Sequence, residues 1–234
     1  HAHAMYDWQW RIIWLNTDVF LQGVAVTIAL TALCILFGTT LGVLLAFCKR
    51  SRIEVLSIFS KTFIELFRAL PILVVLIWIY YVTPTLLGWR ISPFNAAVLA
   101  LSLNLAAFAA ETVRAGIESI AHTQLESGLA LGMTESQTMR RIVLPQAVRT
   151  MIPNLLGLYI TEIKNSSLAS IIAVGELLHQ ANLLISETFR PLEIYTTVAI
   201  AYLVLILPLI GLLHYAERRF TRGIATAFSY AASY

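Results

Sequence analysis

Charged and amide side chains occur inside stretches of this chain that are otherwise apolar, and their chemistry suits a small molecule carrying both a carboxylate and an ammonium group. Arg68 has a planar fork of donors that fits a carboxylate. Glu111 could receive an ammonium group, and Pro71 would break a helix and free backbone carbonyls for a cavity. A second polar run, Lys164-Asn165-Ser166-Ser167, interrupts another apolar segment. The candidate substrate-binding residues are Arg68, Pro71, Glu111, Arg114, Lys164, Asn165, Ser166 and Ser167.

Each of these groups also has a purely structural interpretation. Glu65 precedes Arg68 by three residues and Glu111 precedes Arg114 by three, so either pair could be an ion pair on one helix face. The amide and hydroxyls of the second run could join neighbouring helices by hydrogen bonds, as is common in membrane bundles. Glu162 lies two residues before Lys164 and is expected to face elsewhere.

The composition predicts an all-α polytopic membrane protein. The chain of 234 residues is 59% hydrophobic and 12% charged, against about 45–50% and 25% for soluble domains, with a mean hydropathy of +0.79. A helix needs about 20 apolar residues to cross a bilayer. Five segments meet that length: 19–48, 61–82, 94–116, 147–174 and 192–215. The net charge of +3 is spread over short clusters beside these spans, which argues against nucleic-acid binding.

The distribution of Lys and Arg predicts the orientation, because positive charge accumulates on the cytosolic side. One set of span ends carries Lys49, Arg50, Arg52, Lys61, Arg140, Arg141, Arg149, Arg218, Arg219 and Arg222. The opposite ends carry only Arg11, Arg90 and Arg190. We therefore expect three parts: an outer, interfacial segment 1–18 with residues 1–4 an expression-tag remnant, a membrane domain 19–216 with a cytosolic loop 121–145, and a cytosolic tail 217–234.

The cytosolic segment Gln124–Pro145, with the sequence QLESGLALGMTESQTMRRIVLP, resembles the "EAA" loop of ATP-binding-cassette importer permeases. Glu126, Gly132 and Pro145 match the positions of that pattern, and Leu144-Pro145-Gln146-Ala147 matches its amino-acid branch. The chain departs from the pattern at Ser127 and Gly128, where two alanines are usual. Three more segments resemble the polar-amino-acid permease family: Phe67–Pro71, Ala110–Ile120 and Lys164–Leu168.

This resemblance implies a type I importer permease fold, with five transmembrane helices and a cytosolic coupling helix between the third and fourth. It implies a second permease subunit, two cytosolic ATPases that use ATP and Mg, an extracytoplasmic solute-binding protein and an amino acid substrate in a bacterial inner membrane. The coupling helix is expected around residues 126–135, with Gly132 at the turn that follows. The ATPase-coupling residues it implies are Glu126, Gly128, Ala130, Gly132, Met133 and Pro145. Relatives often carry Asp at position 165, so Asn165 favours neutral or acidic amino acids over arginine or lysine.

Other functional classes fit the sequence less well. The chain contains no GxxxxGK[ST] phosphate loop, no metal-ligand spacing among its histidines, and no nucleophile with a base and an orienting acid. We therefore expect a non-catalytic subunit without a cofactor or metal of its own. The alternative is a secondary transporter or channel driven by an ion gradient, which would explain the charges within the spans but not the cytosolic loop.

Overall fold

The computed structural model describes residues 7–88 and 90–220, and this part of the chain contains helices and no strands. The α-helices are α1 Arg11–Leu15, α2 Thr17–Lys49, α3 Glu54–Ala69, α4 Ile72–Ile77, α5 Thr83–Leu87, α6 Pro93–Ala130, α7 Glu135–Thr138, α8 Leu144–Asn165, α9 Leu177–Thr188 and α10 Pro191–Phe220. Turns of π-helix join α4 to α5 and α7 to α8, and a 3-10 segment, Ser166–Ile172, follows α8. The expectation of an all-α membrane protein is confirmed.

Three helices are long and apolar enough to cross a bilayer, namely α2, α10 and the portion Pro93–Ile120 of α6. Two bent pairs of helices raise the number to five if each pair counts as one span. Glu54–Ala69 and Ile72–Leu87 meet at 107°, and Glu135–Ile172 and Leu177–Thr188 meet at 47°. The expected second span, 61–82, therefore falls on the first bent pair, and the helix direction changes sharply at Pro71.

The centre of the described bundle is the packing of α2 against α6. The buried face of α6 is rich in alanine, including Ala96, Ala97, Ala100, Ala106 and Ala110, all without exposed surface. Small side chains let helix backbones approach closely, which is how membrane helices gain contact without a hydrophobic driving force. The third span therefore lies at the centre of the bundle, and the bent helices pack around it.

The N-terminal segment packs against the start of α10. The backbone amide of Gln9 donates to Glu193 Oε1 at 2.9 Å, and Arg190 Nη1 donates to the carbonyl of Asp7 at 2.8 Å. Helix α10 continues through Phe220, past the predicted boundary at 217. The predicted tag residues 1–4 and residues 221–234 of the predicted tail, with Arg222, lie outside the described residues.

Candidate functional site: a cavity between two broken spans

The second span breaks where its sequence removes a backbone donor. Leu70 and Pro71 have extended dihedrals, with ψ of 136° and 129°, between α3 and α4. Because proline lacks an N–H, the carbonyl of Phe67, four residues earlier, has no helical partner. Asn104 Nδ2 of α6 donates to this carbonyl at 3.1 Å. The predicted break at Pro71 is confirmed, and the amide of Asn104 fixes the bend to the third span.

Replacing Asn104 with Ala should leave the carbonyl of Phe67 without a partner at membrane depth. A buried acceptor that loses its donor costs about 1–3 kcal/mol. We expect a lower thermal melting temperature for the purified variant in detergent. Asn95→Ala is the control, because Asn95 is exposed on the same helix. Equal melting of the two variants would mean that the Asn104 hydrogen bond does not hold the bend.

The fourth span changes its helix type within the polar run. After Asn165 the α-helix becomes a 3-10 helix, which ends at Ala173 with φ of 59°. Ser166 Oγ donates to the carbonyl of Ile163 and Ser167 Oγ to that of Lys164, both at 2.7 Å. In these bonds both hydroxyls donate to carbonyls of their own helix, whereas the structural interpretation had them joining neighbouring helices. Substrate contact by either serine stays a prediction.

The buried acid Glu176 stabilises the bend between the 3-10 segment and α9. Glu176, which has no exposed surface, accepts hydrogen bonds from the backbone amides of Leu178 at 2.9 Å and His179 at 2.7 Å. Tyr202 of α10 donates its hydroxyl to the same side chain at 3.0 Å. These contacts cap α9 and connect it to the last span, so the outer half of the fourth span is fixed in direction.

A cavity of about 240 Å³ lies where the two broken spans meet α6. It is lined by Leu70, Ile72, Asn104, Leu105, Phe108, Leu158, Thr161, Glu162 and Asn165. The polar groups come from the third and fourth spans, and the apolar residues at the break of the second span close one side. An apolar pocket with a few convergent polar groups is the usual form of a small-molecule site.

The predicted substrate-binding residues divide between this cavity and other places. Asn165 lines the cavity, and Pro71 lies between the lining residues Leu70 and Ile72. Arg68 places its guanidinium carbon 5.7 Å from the centroid of the Phe108 ring, which is part of the lining. No ion pair joins Arg68 to Glu65 among the described residues, so that structural interpretation is wrong. Lys164 is exposed on α8 and does not line the cavity.

Glu111 and Arg114 belong to an ion-pair cluster that ties α2 to α6. Arg114 Nε donates to both carboxylate oxygens of Glu111 at 3.0 Å and pairs with Glu118 as well. Lys49 Nζ, at the end of α2, lies 3.5 Å from Glu111 Oε2. The i,i+3 ion pair between Glu111 and Arg114 is confirmed. Neither residue lines the cavity, and substrate contact by them stays a prediction.

Three polar residues of the lining, Asn104, Thr161 and Glu162, are absent from the predicted substrate-binding set. Glu162 faces elsewhere than the exposed Lys164, as expected, but the direction it takes is into the cavity next to Asn165, where it is only 2% exposed. Its position three residues before Asn165 puts both on one helix face, and that spacing could have revealed it. Asn104 was passed over as a single amide within an apolar span, although such a group needs a partner at membrane depth.

The Gln124–Pro145 segment contains the end of α6, a tight turn and α7, so the helix expected around residues 126–135 is divided between α6 and α7. Helix α6 continues through Glu126 and ends at Ala130. Gly132 then adopts φ of 77°, as expected for a glycine that follows a helix C-terminus. Its amide donates to the carbonyl of Leu129 at 2.9 Å, and that of Met133 to Gly128 at 3.0 Å. A capping box between Thr134 and Gln137 starts the next helix.

The departure from the EAA pattern has a packing explanation. Gly128 faces Thr138, whose side chain has no exposed surface. A Cβ added at residue 128 would overlap Thr138 Cγ2 and Oγ1 and lie 2.9 Å from Thr138 Cβ. The missing methyl group therefore makes room for α7 to fold back onto the end of α6. The side chains of Leu129 and Leu131 remain 50% and 79% exposed at the tip of this turn. Pro145 is exposed in the first turn of α8.

Residues 38–222 match the family described as the binding-protein-dependent transport system inner membrane component. The chain belongs to this family. It is 35% identical over 214 residues to the glutamine transport system permease protein of Escherichia coli K12, covering 91% of this chain and 98% of that protein. It is 32% identical over 212 residues to a probable glutamine ABC transporter permease protein of Bacillus subtilis 168, with 91% and 98% covered.

Solved structures of ABC transporters share the fold of this family member. A chain from the crystal structure of an amino acid ABC transporter with histidines superposes with a TM-score of 0.87 at 34% identity, covering 92% of this chain and all of that chain. A chain of an inward-facing methionine ABC transporter gives a TM-score of 0.67 at 25% identity, with 89% and 97% covered. The expected importer permease fold is confirmed, and the family is one of inner-membrane components.

Proposed function

We propose that this chain is the permease subunit of an ATP-driven amino acid importer. The observation that carries the proposal is the cavity of about 240 Å³ at the junction of the two broken spans, with amide, hydroxyl and carboxylate groups inside an apolar bundle. Discontinuous helices that meet at a polar cavity are typical of transporter substrate sites. The similarity to permease proteins of glutamine and other amino acid transport systems supports the amino acid as substrate class.

Within this proposal, Asn165 and the broken backbone at Pro71 contact the substrate in the cavity. The guanidinium of Arg68, held against the ring of Phe108, binds the substrate carboxylate as it enters or leaves. Lys164, Ser166 and Ser167 complete the polar region of the fourth span. Glu111 and Arg114 stay secondary candidates, because their charges are already paired with each other.

A second permease subunit, identical or homologous, covers the polar face of α8. Asn154, Thr161 and Lys164 are exposed and lie on one side of this helix, at spacings of seven and three residues. An uncompensated Lys at the centre of a bilayer costs at least about 2.5 kcal/mol. A partner subunit, with a water-filled path between the two, would remove these groups from lipid.

The cytosolic turn is the docking site of the ATPase subunits. It comprises Glu126, Gly128, Ala130, Gly132 and Met133, with Pro145 at the start of the returning helix, and it exposes apolar side chains beyond the membrane domain. Two cytosolic ATPases bind ATP and Mg, and the permease binds no cofactor of its own. An extracytoplasmic binding protein delivers the substrate at the opposite face. The charge distribution supports an outer N-terminus and a cytosolic C-terminus.

Replacing Leu131 with Asp should weaken the binding of the ATPase. Burying a well-packed apolar side chain at the centre of an interface contributes about 2 kcal/mol or more, which corresponds to roughly thirtyfold in affinity. The measurement is the fraction of ATPase that remains on the tagged permease during dilution in mild detergent. Ser136→Asp places the same charge on an exposed polar position of the turn and should retain the ATPase. Equal retention by both variants would contradict docking at Leu131.

Purification from the native host tests the whole assembly. The permease is extracted in mild detergent, and the proteins that elute with it are identified and counted by mass spectrometry. We expect a stoichiometric ATPase and either two copies of this chain or one copy with a homologous permease. If no ATPase accompanies the chain under several mild conditions, the proposal is wrong.

A further inference from the structure

Glu162 is a buried acid without a complete set of partners. Its side chain lines the cavity and is 2% exposed, and its Oε1 has no hydrogen-bond partner within the described part of the chain. A charged group buried without a partner is strongly unfavourable, so an unsatisfied acid in a native fold requires an explanation. The most direct explanation is that a ligand brings the missing partner.

The surroundings of Glu162 define what kind of ligand that would be. Among the nine residues that line the cavity, Glu162 is the only one with an ionisable side chain. Asn165 is one turn further along α8, and Asn104 faces the same space from α6. Asn104 has already committed one amide hydrogen to the carbonyl of Phe67. The cavity therefore offers one acidic side chain, surrounded by neutral donors and acceptors.

We propose that Glu162 binds the α-ammonium group of the amino acid substrate, an inference that rests on the proposed function. An ammonium group has three donors and a full positive charge, which match a carboxylate with a free oxygen. The substrate carboxylate is then directed toward the amides of Asn104 and Asn165 and the guanidinium of Arg68 beside Phe108. Binding gives Glu162 Oε1 the hydrogen-bond partner that it otherwise lacks.

This assignment sets the substrate class. Amino acids with neutral or cationic side chains bring at most one carboxylate into the cavity. Acidic amino acids bring a second carboxylate close to Glu162, where like charges repel in a medium of low polarity. Position 165 carries no acid, but Glu162, one helical turn earlier, places one in the cavity. Asn165 alone would favour neutral or acidic amino acids over arginine or lysine, whereas this proposal favours neutral or cationic ones.

The test measures amino acid binding to the purified permease–ATPase complex without the binding protein, as the rise in melting temperature on titration. Each standard amino acid is titrated first, and every one that stabilises the wild-type complex is compared with its α-N-acetyl derivative. We expect stabilisation by neutral or cationic amino acids, none by glutamate or aspartate, and loss of the effect on acetylation. Glu162→Gln should weaken binding about 100-fold.

The ligand-free melting temperature separates a binding role from a structural one. Glu162→Gln removes an unpaired buried acid and should melt at the same or a higher temperature than the wild type, whereas loss of a structural partner would lower it. Glu187→Gln, an exposed acid at the outer end of α9, is the control and should bind normally. Equal binding by Glu162→Gln, binding of the acetylated forms, or preference for acidic amino acids would each overturn the role of Glu162 alone. If no amino acid stabilises the wild-type complex, the proposed function itself fails.

Discussion

Replacement of Gly132 with Val is expected to abolish most ATP-driven uptake while the protein still reaches the membrane. Gly132 has φ of 77° at the turn between α6 and α7. At this positive φ a residue with a Cβ destabilises the backbone by about 1–2 kcal/mol, and a β-branched residue destabilises it more. Strain of that size shifts the balance between the native turn and its alternatives by a factor of about 5–30. The turn proposed to contact the ATPase would then be wrongly shaped in most molecules.

The structure provides a matched control for this variant. Gly88 has φ of 70° after α5, and a Cβ at either glycine would meet nothing within 4 Å. Gly88→Val therefore introduces similar backbone strain at the opposite end of the protein. We expect Gly88→Val to retain coupling between ATP hydrolysis and uptake, measured in proteoliposomes, and Gly132→Val to lose it. Equal loss in both variants would indicate a general folding defect and would contradict a coupling role for the cytosolic turn.

Replacement of Gly128 with Ala should destabilise the cytosolic turn even though it restores the residue that the family pattern favours. Alanine improves helix propensity by about 1 kcal/mol over glycine. The added methyl group, however, would overlap the buried side chain of Thr138. Overpacking of this kind costs about 1–3 kcal/mol, so we expect the steric penalty to exceed the gain in propensity. Thermal melting and ATP-driven uptake should both decrease.

A double variant tests this steric explanation. Thr138→Ala removes both overlapping atoms and leaves only the Cβ contact of 2.9 Å, so Gly128→Ala with Thr138→Ala should recover more than half of the lost stability. Gly211→Ala in α10 is the control, because a Cβ there meets nothing within 4 Å. That substitution should be neutral or stabilising. No recovery in the double variant would show that the two residues do not interact as described.

The helical content of this protein could be predicted because the hydropathy and length of a segment are local properties of the sequence. The uncharged segment 19–48 corresponds to α2, and Gly132 within the EAA-like segment was correctly assigned to a turn. Pro71 and the run Lys164–Ser167 were recognised as irregular for a local reason as well. In each case a residue type either removes a backbone donor or competes for one.

The features that the sequence did not predict depend on contacts between distant segments. Hydropathy identifies apolar segments but carries no information on the direction of a helix axis, so the bend of 107° at Pro71 was not predicted. Helix α6 continues to Ala130, beyond the predicted span end at 116, and its polar end packs against α7, where Gly128 meets Thr138. The direction of the Glu162 side chain was inferred from its spacing to Lys164, whereas its burial depends on α6 across the cavity. Burial of an unpaired acid becomes visible only when the tertiary contacts are known.

The most direct test of the central claim is uptake of radiolabelled amino acids by proteoliposomes. They contain this chain with its co-purified permease, ATPase and binding protein, and ATP is either enclosed or omitted. We expect accumulation that requires enclosed ATP and persists when ionophores dissipate proton and sodium gradients. Accumulation that follows an imposed ion gradient and ignores ATP would contradict this expectation and identify a secondary transporter.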